Sequence, residues 1–201
     1  SVMASVLAAH VAHAAGDNAL AADLVSGEVA AALCLPSGQA FDWAQDDLLL
    51  VWNADGMGIF DAASFAAHRT EPCLDDSLAM HAGRLDLQAA RHWVESRNAP
   101  LAMRAQILLA AALTGLAEQA CDLTVDYVKV REQFGKPIAT FQAVKHRCAD
   151  MAVRARLAWY QTCMAALKAG AGAPDAALHA ASAKLVAARA AHENGRAAIQ
   201  M

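Results

Sequence analysis

Aromatic side chains are scarce in this chain: Phe, Trp and Tyr together make up 5% of its residues, although 57% are hydrophobic. Much of the difference is alanine, which favours helices with closely approaching axes over a core filled by large side chains. Charge is sparse as well. Charged residues are 18% of the chain, the net charge is −4, and no long basic run occurs, so neither nucleic acid nor an anionic membrane is implied as a partner. Long hydrophobic runs are also missing. Charges interrupt every apolar stretch before it reaches about 18 residues, so no membrane-spanning helix is expected. The longest such run, Ile107 to Ala117, reads as a core helix of a bundle. No signal peptide with a basic start and a cleavage site is found.

Other absences exclude chemistries. Cys34, Cys73, Cys121, Cys148 and Cys163 lack zinc-ligand spacing and are expected to be reduced thiols of a cytosolic, hence cytoplasmic, protein. His10 and His13 lie three apart on a helix with no accompanying carboxylate, and no Glu-x-x-His occurs, so no metal site is expected. Gly56-Met57-Gly58 lacks the third glycine and the following helix of a dinucleotide fingerprint. No nucleophile-elbow or phosphate-loop motif occurs.

What is present divides the chain into three segments. Residues 1–26 read as the end of a helical domain, with a helix over 1–15 that stops near Gly16-Asp17-Asn18. Residues 27–98 read as a small, reduced β domain. Its expected strands are Val29–Leu35, Leu48–Trp52, Gly58–Phe60 and Leu78–Leu87, separated by turns such as Pro36-Ser37-Gly38 and Asp55-Gly56. The run Leu48–Trp52 suits a strand buried on both faces. Residues 99–201 are expected to form a bundle of long antiparallel helices. The first runs from Pro100 to Phe134, the second from a cap at Thr140 to about Lys168, and the third opens at Pro174-Asp175 and runs to the end. The fold class is therefore α+β, mostly α. The abrupt start and the stop at Gln200-Met201 lead us to expect a fragment, or a chain joined from ordered pieces.

The densest signal is Arg131-Glu132-Gln133-Phe134-Gly135-Lys136-Pro137-Ile138, followed by Phe141-Gln142, His146 and Ala149-Asp150-Met151. Arg131 suits the negative end of a helix dipole, Gly135 a left-handed stop, and Pro137 the end of any continuation. Gln142, His146 and Asp150 recur at i+4 and share one helix face. As Arg-x-Gln-Phe-Gly-x-Pro-Ile-x-x-Phe-Gln, the string resembles the C-terminal helical domain of the acyl-CoA dehydrogenases, densely over residues 127–151 and weakly over 100–201.

The resemblance implies FAD as cofactor, an acyl-CoA substrate and an acceptor similar to electron-transfer flavoprotein. It implies an oligomer, homomeric or heteromeric, built as a dimer of dimers in which two chains hold each FAD. Arg131 matches the arginine that reaches the partner's cofactor, Phe134 the aromatic beside it, and Gln142 a glutamine that hydrogen-bonds it. Ala197-Ala198-Ile199-Gln200-Met201 resembles the start of a Gln-x-x-Gly-Gly loop, which makes Gln200 the fourth cofactor-contact candidate. No catalytic residue is assigned. One family position for the base, about seven turns before the motif, falls on Ala105, and the other lies past residue 201. Glu95 and Glu118 match neither. Cys34-Leu35-Pro36 stands where the family has Thr-Glu-Pro near the flavin ring, without its hydroxyl. The leading expectation is a partner subunit of a heteromeric enzyme that desaturates fatty or steroid side-chain thioesters. The alternatives are a self-sufficient homomer with its base beyond residue 201, and a non-enzymatic helical interaction module.

Overall fold

The computed structural model describes residues 2–44, 47–73, 78–96 and 100–201. The chain divides into two compact units, one up to Ala102 and one from Met103 onward. The boundary expected at 98–99 lies outside the described residues.

In the first unit, helix α1 (Val2–Ala14) buries Leu7, Ala8, Val11 and Ala12. Ala8 and Ala12 let it lie close to the strands beneath it, and Leu7 and Val11 fill the space between. Gly16, at φ +87°, turns the chain into a second helix, α2 (Asn18–Ser26), which the sequence reading did not foresee. Asp17 caps α2, accepting from the Leu20 amide, and Gly27 ends it in the left-handed region. Asp17 also accepts from His92 Nε2 at 2.9 Å, tying the cap to a strand 75 residues away.

That strand belongs to a seven-stranded mixed sheet of order β5-β6-β2-β1-β3-β4-β7. Strand β1 (Ala31–Cys34) runs parallel to β3 (Leu48–Trp52), with Ala31 opposite Leu48, and antiparallel to β2 (Gln39–Phe41). Strand β4 (Gly56–Phe60) pairs with β3 on one side and β7 (Ala90–Glu95) on the other. Strands β5 (Phe65–Glu71) and β6 (Met80–Leu85) extend the other side. Leu49, Leu50, Val51, Ile59 and Phe60 are fully buried, as a strand covered on both faces requires. Gly58 gives Trp93 its seat: a Cβ there would lie 2.4 Å from the indole. The sequence reading omitted β2, β5 and β7. β5 and β7 are the sheet edges, where Arg69, Glu71, Arg91 and Glu95 mask the strand signal and protect the edge.

The second unit is built from α3 (Leu101–Val130), α4 (Gln142–Gly170) and α5 (Ala176–Ile199). Cross-helix contacts show that they are antiparallel. Thr114 meets Thr162 while Cys121 meets Cys148, and Arg154 meets Asn194 while Lys168 meets Asp175. The seam is alanine: Ala110 and Ala117 of α3, Ala155, Ala158 and Ala165 of α4, and Ala183, Ala187 and Ala190 of α5 pack together. Large apolar residues point outward instead, among them Leu116, Leu123, Leu157, Tyr160 and Leu185. By length and composition α3 is the one helix among the described residues that could cross a membrane. Here one face of it packs through Ala110 and Ala117 into the alanine seam, while Leu116 and Leu123 stay exposed, so α3 is not enclosed all round as the run Ile107–Ala117 led us to expect.

Two expected boundaries move. Helix α3 ends at Val130 and not at Phe134, because the motif folds into a two-stranded hairpin, β8 (Glu132–Gln133) with β9 (Lys136–Pro137). Gly135 serves that hairpin and does not stop the helix. Thr140 is not the cap of α4. It lies in a 3-10 turn (Ile138–Thr140), its hydroxyl donating to Pro137 O, and Phe141 occupies the cap position.

Candidate functional site

The hairpin after α3 turns on two residues of positive φ, Phe134 (+56°) and Gly135 (+73°), the pattern of the tight two-residue hairpin turn. Glycine adopts this conformation freely; a phenylalanine does so at a cost of roughly 1–3 kcal/mol. Phe134 is nevertheless held there, 91% exposed, with its ring 6.0 Å edge-to-face from Phe141. Lys136 Nζ lies 4.7 Å over the Phe141 ring. The hairpin closes on the end of α3 through the Ile138 amide, which donates to Arg131 O at 2.8 Å.

Between this hairpin, the start of α4 and the end of α5 lies a cavity of about 460 Å³, whose lining includes Arg131, Phe134, Phe141, Arg147, Gln200 and Met201. Three of the four sequence candidates, Arg131, Phe134 and Gln200, thus meet at one place from positions up to 69 residues apart. Gln142 does not line it. Gln142 is the first residue of α4 and exposed, while its neighbours Phe141 and Ala143 face the cavity. One residue turns a helix face by about 100°, so the face carrying Ala143 and Arg147 is the one used, and the Gln142–His146–Asp150 face points elsewhere. Arg147 was absent from the sequence candidates, although it stands next to His146 within the motif stretch.

The cavity suits a phosphate-bearing ligand with a flat ring. Arg131 and Arg147 supply two guanidiniums, whose planar donors match phosphate oxygens. The N-cap of α4 is Phe141, which has no side-chain acceptor for the first amides, so the positive helix end faces the cavity uncapped. Phe134 and Phe141 provide an apolar wall, and Gln200 an amide that can donate and accept. FAD, a dinucleotide with phosphates and rings, fits this donor set.

No such fit is seen for a base. Ala105 is 4% exposed and carries no titratable group. Glu118 lines a separate, smaller cavity of about 180 Å³ with Cys121 and Asp122, and Glu95 ends β7 in the other unit. The Cys34 thiol is buried, donates to Leu35 O, and is pushed up to about 11 by burial. Burial also raises Cys121 and Cys148, so these three thiols stay protonated near neutrality. Among the described residues no group of three or more His, Cys, Asp or Glu side chains could hold a metal.

Sequence reading also missed Asn194. It is fully buried, and its Nδ2 donates to Ala117 O at 2.9 Å and to Met151 O at 3.0 Å, while Oδ1 accepts from Arg154 Nε at 2.9 Å. One side chain therefore joins all three helices. A lone asparagine in an alanine-rich helix gives no sequence signal for this.

A family model described as "Acyl-CoA dehydrogenase, C-terminal domain" matches residues 100–201, just over half of the chain. Acyl-CoA dehydrogenase FadE34 of Mycobacterium tuberculosis is 57% identical over 54 residues, 27% of this chain and 8% of that protein. Among solved structures, butyryl-CoA dehydrogenase from Megasphaera elsdenii superposes with a TM-score of 0.76 at 22% identity, over 98% of this chain and 65% of that one. The Tcur3481-Tcur3483 steroid ACAD does so with a TM-score of 0.75 at 24% identity, over 100% of this chain and 63% of that one. At these identities the superpositions establish a shared fold. The matches span less than two thirds of each of these proteins.

Proposed function

This chain belongs to the acyl-CoA dehydrogenase family through its C-terminal domain, and from that premise we propose that it is a subunit of an FAD-dependent enzyme that desaturates an acyl-CoA thioester between Cα and Cβ. The convergence of Arg131, Phe134 and Gln200 on one cavity carries the reading. In it Arg131 and Arg147 bind phosphate oxygens of FAD, the uncapped start of α4 adds its positive end, Phe134 covers the nucleotide and Gln200 hydrogen-bonds it. Bound FAD supplies the acceptor for the hydride leaving Cβ. An acceptor similar to electron-transfer flavoprotein then takes the electrons.

The sharper part of the proposal is that this is a partner subunit, lending phosphate contacts to an FAD whose ring lies on another chain. Ala105 stands where one branch of the family has a carboxylate, and Cys34 replaces a hydroxyl donor with a buried thiol. Removal of the α-proton requires a positioned, partly desolvated carboxylate, which the partner provides. The steroid ACAD that shares this fold is named with two components, which supports a heteromer and a bulky, steroid-like acyl group. The outward Leu, Tyr and Met side chains of α4 and α5 provide the surface for a dimer of dimers.

The test is the absorption spectrum of the purified chain, alone and co-expressed with the product of the neighbouring gene. Flavin only in the co-expressed sample supports the partner subunit. Flavin and turnover by the isolated chain indicate the self-sufficient homomer, and flavin in neither sample indicates a helical interaction module.

A further inference from the structure

Beside the Phe134 cavity lies a second one, of about 550 Å³, that shares Arg147 and Gln200 with it. Arg154 and Arg196 also line it, and Glu193 is its one acidic lining residue. Three guanidiniums thus converge on a single concavity of a chain whose net charge is −4. Among the described residues neither Arg147 nor Arg196 has an ion pair. Glu193 is directed mainly to Arg189, at 2.8 Å, and stands 3.7 Å from Arg154.

Arg154 is held in position. Its Nε donates to Asn194, which the Ala117 and Met151 carbonyls fix in the core. Only one edge of the guanidinium is used in this way. Arg196 alone could be read as the cation that complements the C-terminal end of α5. That reading leaves Arg147 and the anchored Arg154 unexplained. Like charges around one cavity repel, and an anion between them offsets that repulsion. The excess over Glu193 is two positive charges, which suits a phosphoryl group of −1.5 to −2 better than a single carboxylate.

We propose that Arg147, Arg154 and Arg196 form a phosphoryl-binding subsite, with Asn194 as the residue that positions Arg154. Its ligand is a phosphate-bearing nucleotide that enters alongside the Phe134 cavity through the shared Arg147. The subsite rests on the cofactor reading only for which nucleotide brings the phosphoryl group.

The probes are inorganic pyrophosphate and ADP, titrated calorimetrically into the full chain at low salt. Pyrophosphate binds, more weakly as salt rises, and Arg154→Gln and Arg196→Gln each reduce its affinity about tenfold or more. ADP competes for the same site. Lys168→Gln, which removes a charge near the far end of α4, leaves binding unchanged. Arg196 is exposed, so its variant folds even where Arg154→Gln does not. No binding by the wild type, equal binding by Arg196→Gln, or an equal loss in Lys168→Gln overturns the proposal. Arg131→Gln separates the two readings. Intact FAD retention by the co-expressed assembly carrying that variant, with pyrophosphate binding lost in Arg196→Gln, refutes the cofactor role of Arg131 and supports the subsite.

Discussion

Replacing Asn194 by alanine removes three hydrogen bonds from the centre of the helical unit: two to the carbonyls of Ala117 and Met151, one from the Arg154 guanidinium. Neutral bonds of this kind contribute about 0.5–1.5 kcal/mol each, and a bond to a charged group about 1.5–3 kcal/mol. Two effects moderate the sum. Both carbonyls lie within helices and retain their helical partners, and the Arg154 side chain is 28% exposed, so water replaces part of what it loses. The expected cost is roughly 2–4 kcal/mol. With a urea slope of about 2 kcal/mol/M, the midpoint falls by about 1–2 M. Asn194→Leu keeps the volume without the donors, which separates hydrogen bonding from packing. Urea titrations followed by helical circular dichroism decide the matter. Both variants should unfold early, with an unchanged slope. A midpoint for Asn194→Ala within about 0.5 kcal/mol of wild type would falsify the three-helix clamp, and a stable Asn194→Leu would assign the loss to packing alone.

Four further outcomes are expected. Arg131→Ala lowers FAD affinity in the intact assembly by roughly 1.5–3 kcal/mol with helicity preserved; unchanged flavin absorbance after dialysis makes the motif structural only. Asp17 is held below the usual carboxylate range, first by the Leu20 amide and then by His92, so its contribution is fully present above the unfolded-state value and lost as pH falls through the lower folded one. Acid titrations of wild type and Asp17→Asn should therefore converge at low pH and separate near neutrality, and parallel curves refute the linkage. The outward apolar faces of α4 and α5 should be covered over well above about 1,000 Å² by another chain, and a stable monomer in dilute solution by sedimentation refutes this. Ala105→Glu should not yield an active homomer, because Cys34 leaves the flavin-ring site without a hydroxyl; acyl-CoA-dependent reduction of an artificial acceptor by the isolated variant would show otherwise.

The amino-acid pattern by itself determined what local forces control. Alanine-rich periodicity dictated three long helices, because backbone propensity and a repeating small face need no distant partner. The apolar run Leu48–Trp52 announced a buried strand, and the motif around Arg131 its resemblance to a family. Edge strands β5 and β7 were illegible, since charged residues there answer to solvent and not to a strand pattern. Within the motif, Phe134-Gly135 reads locally as a helix stop. Only the pairing of Gln133 with Lys136 decides that it is a hairpin tip that presents an aromatic ring. Helix phase was also a tertiary matter. Gln142 and Arg147 lie in the same stretch, yet the packing of α4 against α5 selects the face of Arg147 for the cavity. The joining of Arg131 to Gln200, and of Asn194 to two helices remote in sequence, arises because antiparallel packing closes long separations. Spacing along a chain carries no record of that closure.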